Sequence, residues 1–350
     1  LALKLNIAQK GSVDFILETG EEEEQIQMEN QTSVQREDQT TMMHFILLGV
    51  TDDDQLQYVF FTILLVTYIL TVTGNILIIW ITLINHHLQT PMYFFLRNFS
   101  ILEIGFTTTV IPKALANLAL GKKTISLSGC LTQTFLYCML GTTEFFLLAV
   151  MSFDRYMAIC KPLHYVAIIN SQVCSQLVIT AWIGGAILIL PPAVVYFQMP
   201  FCASNIINHF FCDSVPMIQL KCGNTKVLVC MTFISAVFTL PGSLVITAVS
   251  YINIISAVVK IASVAGRQKA FSTCASHLIV VSITYGSCIF MYLTPTQTDR
   301  LDLSKVVSIL NTVVSPLLNP FIYSLRNTQF QGALRESIKW SIIISKHLEI

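Results

Sequence analysis

The sequence predicts an all-α membrane protein: a bundle of seven transmembrane helices with a short amphipathic helix after the last span. Three observations carry this. Hydrophobic residues make up 54% of the 350 and charged residues only 11%, well below the roughly 25% charged share of soluble domains. Uncharged runs recur at or above the roughly 20 residues a helix needs to cross a bilayer. Basic residues gather on one set of alternate connections, the bias that orients membrane helices.

The spans run in order along the chain. Residues 58–84 hold no Asp, Glu, Lys or Arg and form the first. The second, 91–118, contains Arg97, Glu103 and Lys113; the third, 125–153, contains Glu144. The fourth, 173–196, is uncharged and broken by Pro191-Pro192, and the fifth, 227–259, is broken by Pro241-Gly242. Residues 270–298 and 306–325 supply the sixth and seventh, again without charge. In the seventh, Pro320 removes a backbone donor and permits a hinge. Beyond it Phe330, Leu334, Ile338 and Ile342 recur at helical spacing around Arg335 and Lys339, which reads as an amphipathic helix on the inner leaflet. The chain then divides into an outer region (1–57, of which 1–27 is an unstructured extension), the helix bundle (58–326) and a cytoplasmic tail (327–350).

Seven spans place the termini on opposite sides. The region before residue 58 carries three basic residues against twelve acidic ones, so the N-terminus is expected outside and the C-terminus in the cytoplasm. Arg97, Arg155, Lys161, Lys260, Arg267, Lys269, Arg326, Arg335 and Lys339 then fall inside; Lys122, Lys123, Lys221 and Lys226 dilute the bias. Residues 1–57 show no basic start with an apolar core and a small-residue cleavage site, so the first span serves as its own insertion signal. Met28 is an alternative start, and Asn30-Gln31-Thr32 is a glycosylation acceptor on the outer side.

Ten cysteines divide by depth. Cys130, Cys202, Cys212 and Cys222 lie on the outer side and can pair; four cysteines allow three connectivities, and spacing does not choose among them. A zinc site is the rival, but no C-x-x-C spacing exists and only His209 lies nearby. Cys138, Cys160, Cys174, Cys230, Cys274 and Cys288 fall in spans or inside, where small apolar filler is the default.

Glu103 and Glu144 are the two ionisable groups at mid-membrane depth, where such groups are costly and point to function. Tyr137, Gly141, Glu144, Leu148, Met151 and Arg155 share one helical face, and Glu144 lies roughly 16 Å from Arg155 along it. The two carboxylates could share a cation or a proton, or could bond Asn75, Ser100 and Asn319 in a network that only locks packing. A hydrolytic dyad would need a nucleophile or metal motif, and none accompanies them.

Seven spans with MSFDRYMAIC closing the third, Asn75 in the first and NPFIY in the seventh resemble the rhodopsin-like G-protein-coupled receptors. The runs PMYFFLRNFS (91–100), MSFDRYMAICKPLHY (151–165), SYINII (250–255), KAFSTCASHL (269–278) and SPLLNPFIYSLRN (315–327) narrow the resemblance to mammalian olfactory receptors. FFLRNFSILEI, CASNIINHFFCD and VVSITYGSC look most similar to the family-six, subfamily-C group. The likeness covers about residues 28–345.

That resemblance implies a disulfide from Cys130 to Cys212 and a second from Cys202 to Cys222. It assigns Asp154, Arg155 and Tyr156 to G-protein coupling, Tyr251 and Tyr323 to the tyrosines that rearrange on activation, and His277, Asn319 and Pro320 to the same coupling and activation set. Glu103 and Glu144, with Asn75, become a candidate sodium site; no other cofactor is implied. Tyr285 takes the toggle position of the sixth helix. The ligand pocket would be lined by Tyr137, Cys138, Gly141, Thr142, Ser235, Thr239, Tyr285, Cys288, Ile289, Tyr292 and Thr312. That set holds no charge, and Tyr137 stands where amine receptors carry an Asp. A small, neutral, mostly hydrophobic odorant with one hydrogen-bonding group is therefore the expected ligand. The expected partners are a heterotrimeric stimulatory G protein, raising cyclic AMP, and the lipid bilayer of the plasma membrane; nucleic acid is not expected.

Three rival classes fit less well. A channel or transporter would show inverted repeats or paired broken helices, and neither is visible. An enzyme would need a motif such as G-x-S-x-G or H-E-x-x-H, and neither occurs. A receptor-like chain that does not signal would be expected to have lost signature runs that stand intact here.

Overall fold

The computed structural model describes residues 44–337 and 339, apart from 52, 203, 294–296 and 326–328. Side chains at 269–273, 276, 291–302 and 323–325 are also left undescribed. Asn30, Met28, Arg326, Ile338 and Ile342, and the side chains of Lys269, Tyr292 and Tyr323, therefore lie outside the described set.

The apolar runs are helices, and most begin or end for a local reason. In α1 (Asp54–Ile84) the carboxylate of Asp53 accepts from the amides of Gln55 and Leu56, two of the four donors that a first turn leaves unpaired. In α2 (Pro91–Leu120) Pro91 sits at the start, where no amide is needed, and Gly121 ends the helix with φ at 61°. Ser126 caps α3 (Leu127–Cys160) through the amide of Gly129. At its far end Pro162 opens a separate short helix, Pro162–Ile168. Asn170 caps α4 (Ser171–Gln198) on the amide of Val173. The fifth and sixth long helices are α5 (Lys226–Val259) and α6 (Val264–Leu293).

The last long helix, α7, is built from Gln297–Ile309, a π-helical turn at Leu310–Val314, and Ser315–Leu325. A π turn adds one residue to a helical turn and rotates the rest of the helix about its axis. A further helix covers 329–337, where Phe330 and Ala333 are buried against Ile78, Ile81, Tyr93 and Leu96. The apolar face was expected on the inner leaflet; Phe330 instead turns into the bundle, with Leu334 packed beside it.

Two boundaries differ from expectation. The third span was expected to end at residue 153, but α3 continues through the Asp-Arg pair to Cys160. Charge stops the membrane pattern there, not the helix. The seventh was expected from 306, but helix begins at Gln297, because Asp299, Arg300, Asp302 and Lys305 break hydropathy and leave helicity intact. A small sheet joins the helices as well: His44–Leu47 pairs antiparallel with Thr124–Ser126 and parallel with Ile206–Ile207.

α3 is the central helix, packed against α2, α4 and α5. Phe95, Phe99, Leu102 and Phe106 of α2 meet Leu140, Leu147, Leu148 and Met151 of α3 in the main core. Large apolar side chains such as Ile63, Val66, Ile183, Ile187, Phe233 and Phe238 face outward, the reverse of a soluble protein. With lipid as the alternative neighbour, close packing rather than water exclusion must hold the helices. Two glycines permit it: a Cβ on Gly74 would lie 2.8 Å from Pro320, and one on Gly185 would collide with Thr143.

Candidate functional site

One end of the bundle carries a bonded lid. Cys130 of α3 is joined to Cys212, and Cys202 to Cys222, within the connection between α4 and α5. The backbone at Cys212 is also held from α3: its amide donates to Gln133 Oε1 at 3.0 Å, and its carbonyl accepts from Thr134 Oγ1 at 2.9 Å. Asp213 starts the short helix Ser214–Ile218 and accepts from Ser304 Oγ of α7 at 3.2 Å. Lys221 donates to the Met199 carbonyl at 2.7 Å, and its ammonium lies 3.3 Å from the centre of the Phe201 ring. Burial pulls the Lys221 amine down to about 8. His209 is buried beneath this loop. Desolvation lowers its pKa to about 4, with Lys305 adding to the effect and Asp213 opposing it.

Below the lid is a cavity of about 280 Å³. Tyr137, Cys138, Gly141, Thr142, Ser235, Thr239 and Cys288 all line it. Of the other expected members, the Tyr292 side chain lies outside the described set, and three sit elsewhere. Thr312 is buried away from the cavity and donates to the Ser308 carbonyl. Ile289 is 37% exposed on the outside of the bundle. Tyr285 lies beneath the floor, packed against Phe145 with ring centres 5.1 Å apart. Its neighbour Thr284 lines the cavity in its place, a difference of one helical step that sequence spacing does not resolve.

The expectation of a charge-free lining is corrected. Glu144 faces the cavity and accepts from Thr284 Oγ1 at 3.4 Å. Sequence reasoning also missed the α4 wall, formed by Ile189, Pro192, Ala193, Tyr196 and Phe197; the Pro191-Pro192 pair was its one visible mark, although α4 runs through it, and α5 through Pro241, without the expected breaks. Tyr137 forms another wall, stacked on Phe106 at 5.0 Å and tilted against Phe211 at 4.7 Å.

A polar column continues downward. Tyr285 donates to Ser243 Oγ at 2.8 Å and lies 3.5 Å from Thr247 Oγ1. Ser243 in turn bonds the Thr239 carbonyl, and Thr247 accepts from Ser152 of α3 at 3.5 Å. Glu103 and Glu144 take different partners. Asn319 donates to Glu103 Oε1 at 2.6 Å, while Asn75 donates to the Thr71 carbonyl in its own helix. Among the described residues, Glu103 Oε2, Asn319 Oδ1 and Ser315 Oγ are buried with no hydrogen-bond partner.

At the far end Arg155 bonds Asp154 at 2.7 Å, and Tyr165 donates to the other Asp154 oxygen at 2.8 Å. The pair was expected where bilayer gives way to water. Asp154 is 1% exposed and Arg155 9%, so the pair is buried within the protein, with Tyr165 of the Pro162–Ile168 helix bonded to it. Tyr156 is half-buried beside Tyr251, Ile254 and Cys274. Tyr251 and His277 join α5 to α6, hydroxyl to Nδ1, at 2.7 Å. Pro320 packs on Gly74.

A lidded seven-helix bundle with an internal cavity at one end and a buried Asp-Arg pair at the other defines a seven-transmembrane receptor fold. The crystal structure of squid rhodopsin shares it, with a TM-score of 0.61 at 16% identity over 83% of this chain and 87% of that one. The sequence pattern of the olfactory receptor family matches residues 64–339. Human olfactory receptor 6C75 is 55% identical over 300 residues, 86% of this chain and 96% of its own length. Human olfactory receptor 6C1 is 55% identical over 84% of this chain and 94% of its own. Mouse olfactory receptor 6E1 is 54% identical over 85% and 96%. The chain belongs to the olfactory receptor family: it is a multi-pass membrane receptor and not an enzyme.

Proposed function

We propose that this receptor binds a small, neutral, mostly hydrophobic volatile molecule in the cavity under the disulfide-bonded lid. In response it activates an olfactory-type stimulatory G protein and raises cyclic AMP. The observation that carries this reading is the cavity: about 280 Å³, largely apolar, with Thr142, Ser235, Thr239, Thr284 and Glu144 among its polar contacts. Such a site suits an apolar body with one hydrogen-bonding group.

In this reading the lid faces outside and the Asp154–Arg155 end faces the cytoplasm, the orientation that the acidic N-terminal region favours. Ligand that prefers the active arrangement shifts the population toward it by that difference in affinity. A change at the floor reaches α5 through Tyr285–Ser243 and α3 through Thr247–Ser152. Outward movement of α6 would break Tyr251–His277 and uncover Arg155 for the G protein. A sodium ion among Glu103, Asn319 and Ser315 is part of the proposal, because three buried oxygens there await a donor or a cation. Glu144 and Asn75 complete the candidate set.

The test is a screen of volatile ligands against the surface-expressed receptor, with cyclic AMP as readout. A saturable response lost on cavity-filling Gly141→Phe, at unchanged surface expression, supports the assignment. A response that persists undiminished in that variant contradicts it.

A further inference from the structure

We propose that a second cavity, between the start of α1, the end of α2 and the disulfide-bonded loop, binds a small neutral amphiphile with a hydroxyl or amide head. Its volume is about 290 Å³, and it shares no lining residue with the odorant cavity. One wall is apolar, made by Phe60, Leu118 and Phe210, which belong to the core cluster around Leu64 and Val110. The polar side is made by Asn117, Asp54 and Lys123. This pairing of an apolar wall with a few fixed polar groups is what small-molecule sites between helices share.

Asn117 is the specific feature. Its side chain belongs to the lining, and among the described residues its Oδ1 has no hydrogen-bond partner, an uncommon state for a buried polar atom. A carboxamide offers both a donor and an acceptor, and so does a hydroxyl or amide head on a ligand. Asp54 and Lys123 bring opposite charges to the lining, which favours a head without net charge. Gly49 and Gly121, at φ 83° and 61°, carry the backbone around the rim, and a Cβ on either would meet nothing within 4 Å.

The site is adjacent to the odorant cavity through aromatic rings. Phe210 packs on Phe211 with centres 5.1 Å apart, and Phe211 packs on Tyr137 at 4.7 Å. Tyr137 is a wall of the odorant cavity. A molecule seated against Phe210 therefore presses on the rings that position Tyr137, which makes this a modulatory site.

The experiment uses the full chain in lipid nanodiscs and tritiated 2-phenylethanol, with ethylbenzene as a competitor that lacks the hydroxyl. An Ala236→Phe background fills the odorant cavity. In that background saturable 2-phenylethanol binding is expected to persist, and ethylbenzene to compete about tenfold more weakly, the worth of roughly one hydrogen bond. Adding Asn117→Leu, which nearly preserves volume, is expected to weaken 2-phenylethanol about tenfold and erase the difference between the two compounds. The ethylbenzene comparison needs no second substitution, so misfolding of the Asn117 variant leaves it decisive. No saturable binding in the Ala236→Phe background overturns the proposal and leaves the odorant cavity untouched. A benzophenone side chain at position 118 that captures residues 1–43 of the same chain also overturns it, by assigning the cavity to the protein itself.

Discussion

Tyr165 donates its phenolic hydroxyl to Asp154 at 2.8 Å, on the carboxylate oxygen that Arg155 does not use. Asp154 is thus held from two sides, by its neighbour in α3 and by the short helix after it. A hydrogen bond to a charged group contributes about 1.5–3 kcal/mol. Tyr165→Phe should loosen the resting arrangement and raise agonist-independent cyclic AMP about two- to tenfold at equal surface expression. Basal signalling at or below wild type would show that Tyr165 packs the helix without restraining the pair.

Tyr285 reports on the floor of the cavity. Its hydroxyl bonds Ser243 and its ring packs on Phe145, yet it does not line the cavity. Tyr285→Phe should change maximal response more than potency: half-maximal concentration within about threefold, efficacy altered by more. A loss of about 1.4 kcal/mol in ligand affinity, tenfold in concentration, with normal efficacy would place the hydroxyl on the ligand.

The lid should weaken in acid through His209. Its pKa is lowered in the folded protein to about 4 by burial, against an ordinary value of 6.5. Between those values the unfolded chain binds the proton and the folded chain does not, so stability is full above about pH 6.5 and falls as pH drops toward 4. The largest effect is on the order of 3 kcal/mol. In thermal unfolding of the purified receptor, His209→Phe should flatten the slope between pH 6.5 and 4.5, the acidic residues elsewhere being common to both proteins. An unchanged slope would remove His209 as its source.

The two disulfides close loops of different length, with sequence separations of 82 and 20. Loop-closure entropy favours the longer, by roughly 1 kcal/mol. Cys130–Cys212 also anchors the lid to α3 beside Gln133 and Thr134. Cys212→Ser should therefore reduce surface expression more than Cys222→Ser, as measured by antibody labelling of unpermeabilised cells. Equal losses would mean that the loop folds as one unit.

Much of this architecture could be read from residue type and spacing, because the bilayer imposes a simple rule on long helices. Uncharged runs marked the spans, and Asp53, Pro91, Gly121 and Ser126 sit at boundaries as their local chemistry requires. Three features escaped. The sheet at His44–Leu47 depends on pairing with segments far along the chain, which no local pattern records. The inward turn of Glu144 depends on the rotation of α3, and a carboxyl between apolar neighbours reads equally as network or lining. The exchange of Thr284 for Tyr285 is one helical step, about 100°, finer than sequence spacing resolves.

The most direct measurement is agonist-stimulated cyclic AMP in cells expressing either the wild-type chain or Arg155→Ala, at matched surface levels, with a ligand found in the volatile screen. The wild type should respond in a saturable manner while Arg155→Ala stays at baseline. A full response from Arg155→Ala would contradict the proposed coupling of the cavity to a G protein through the buried Asp154–Arg155 pair.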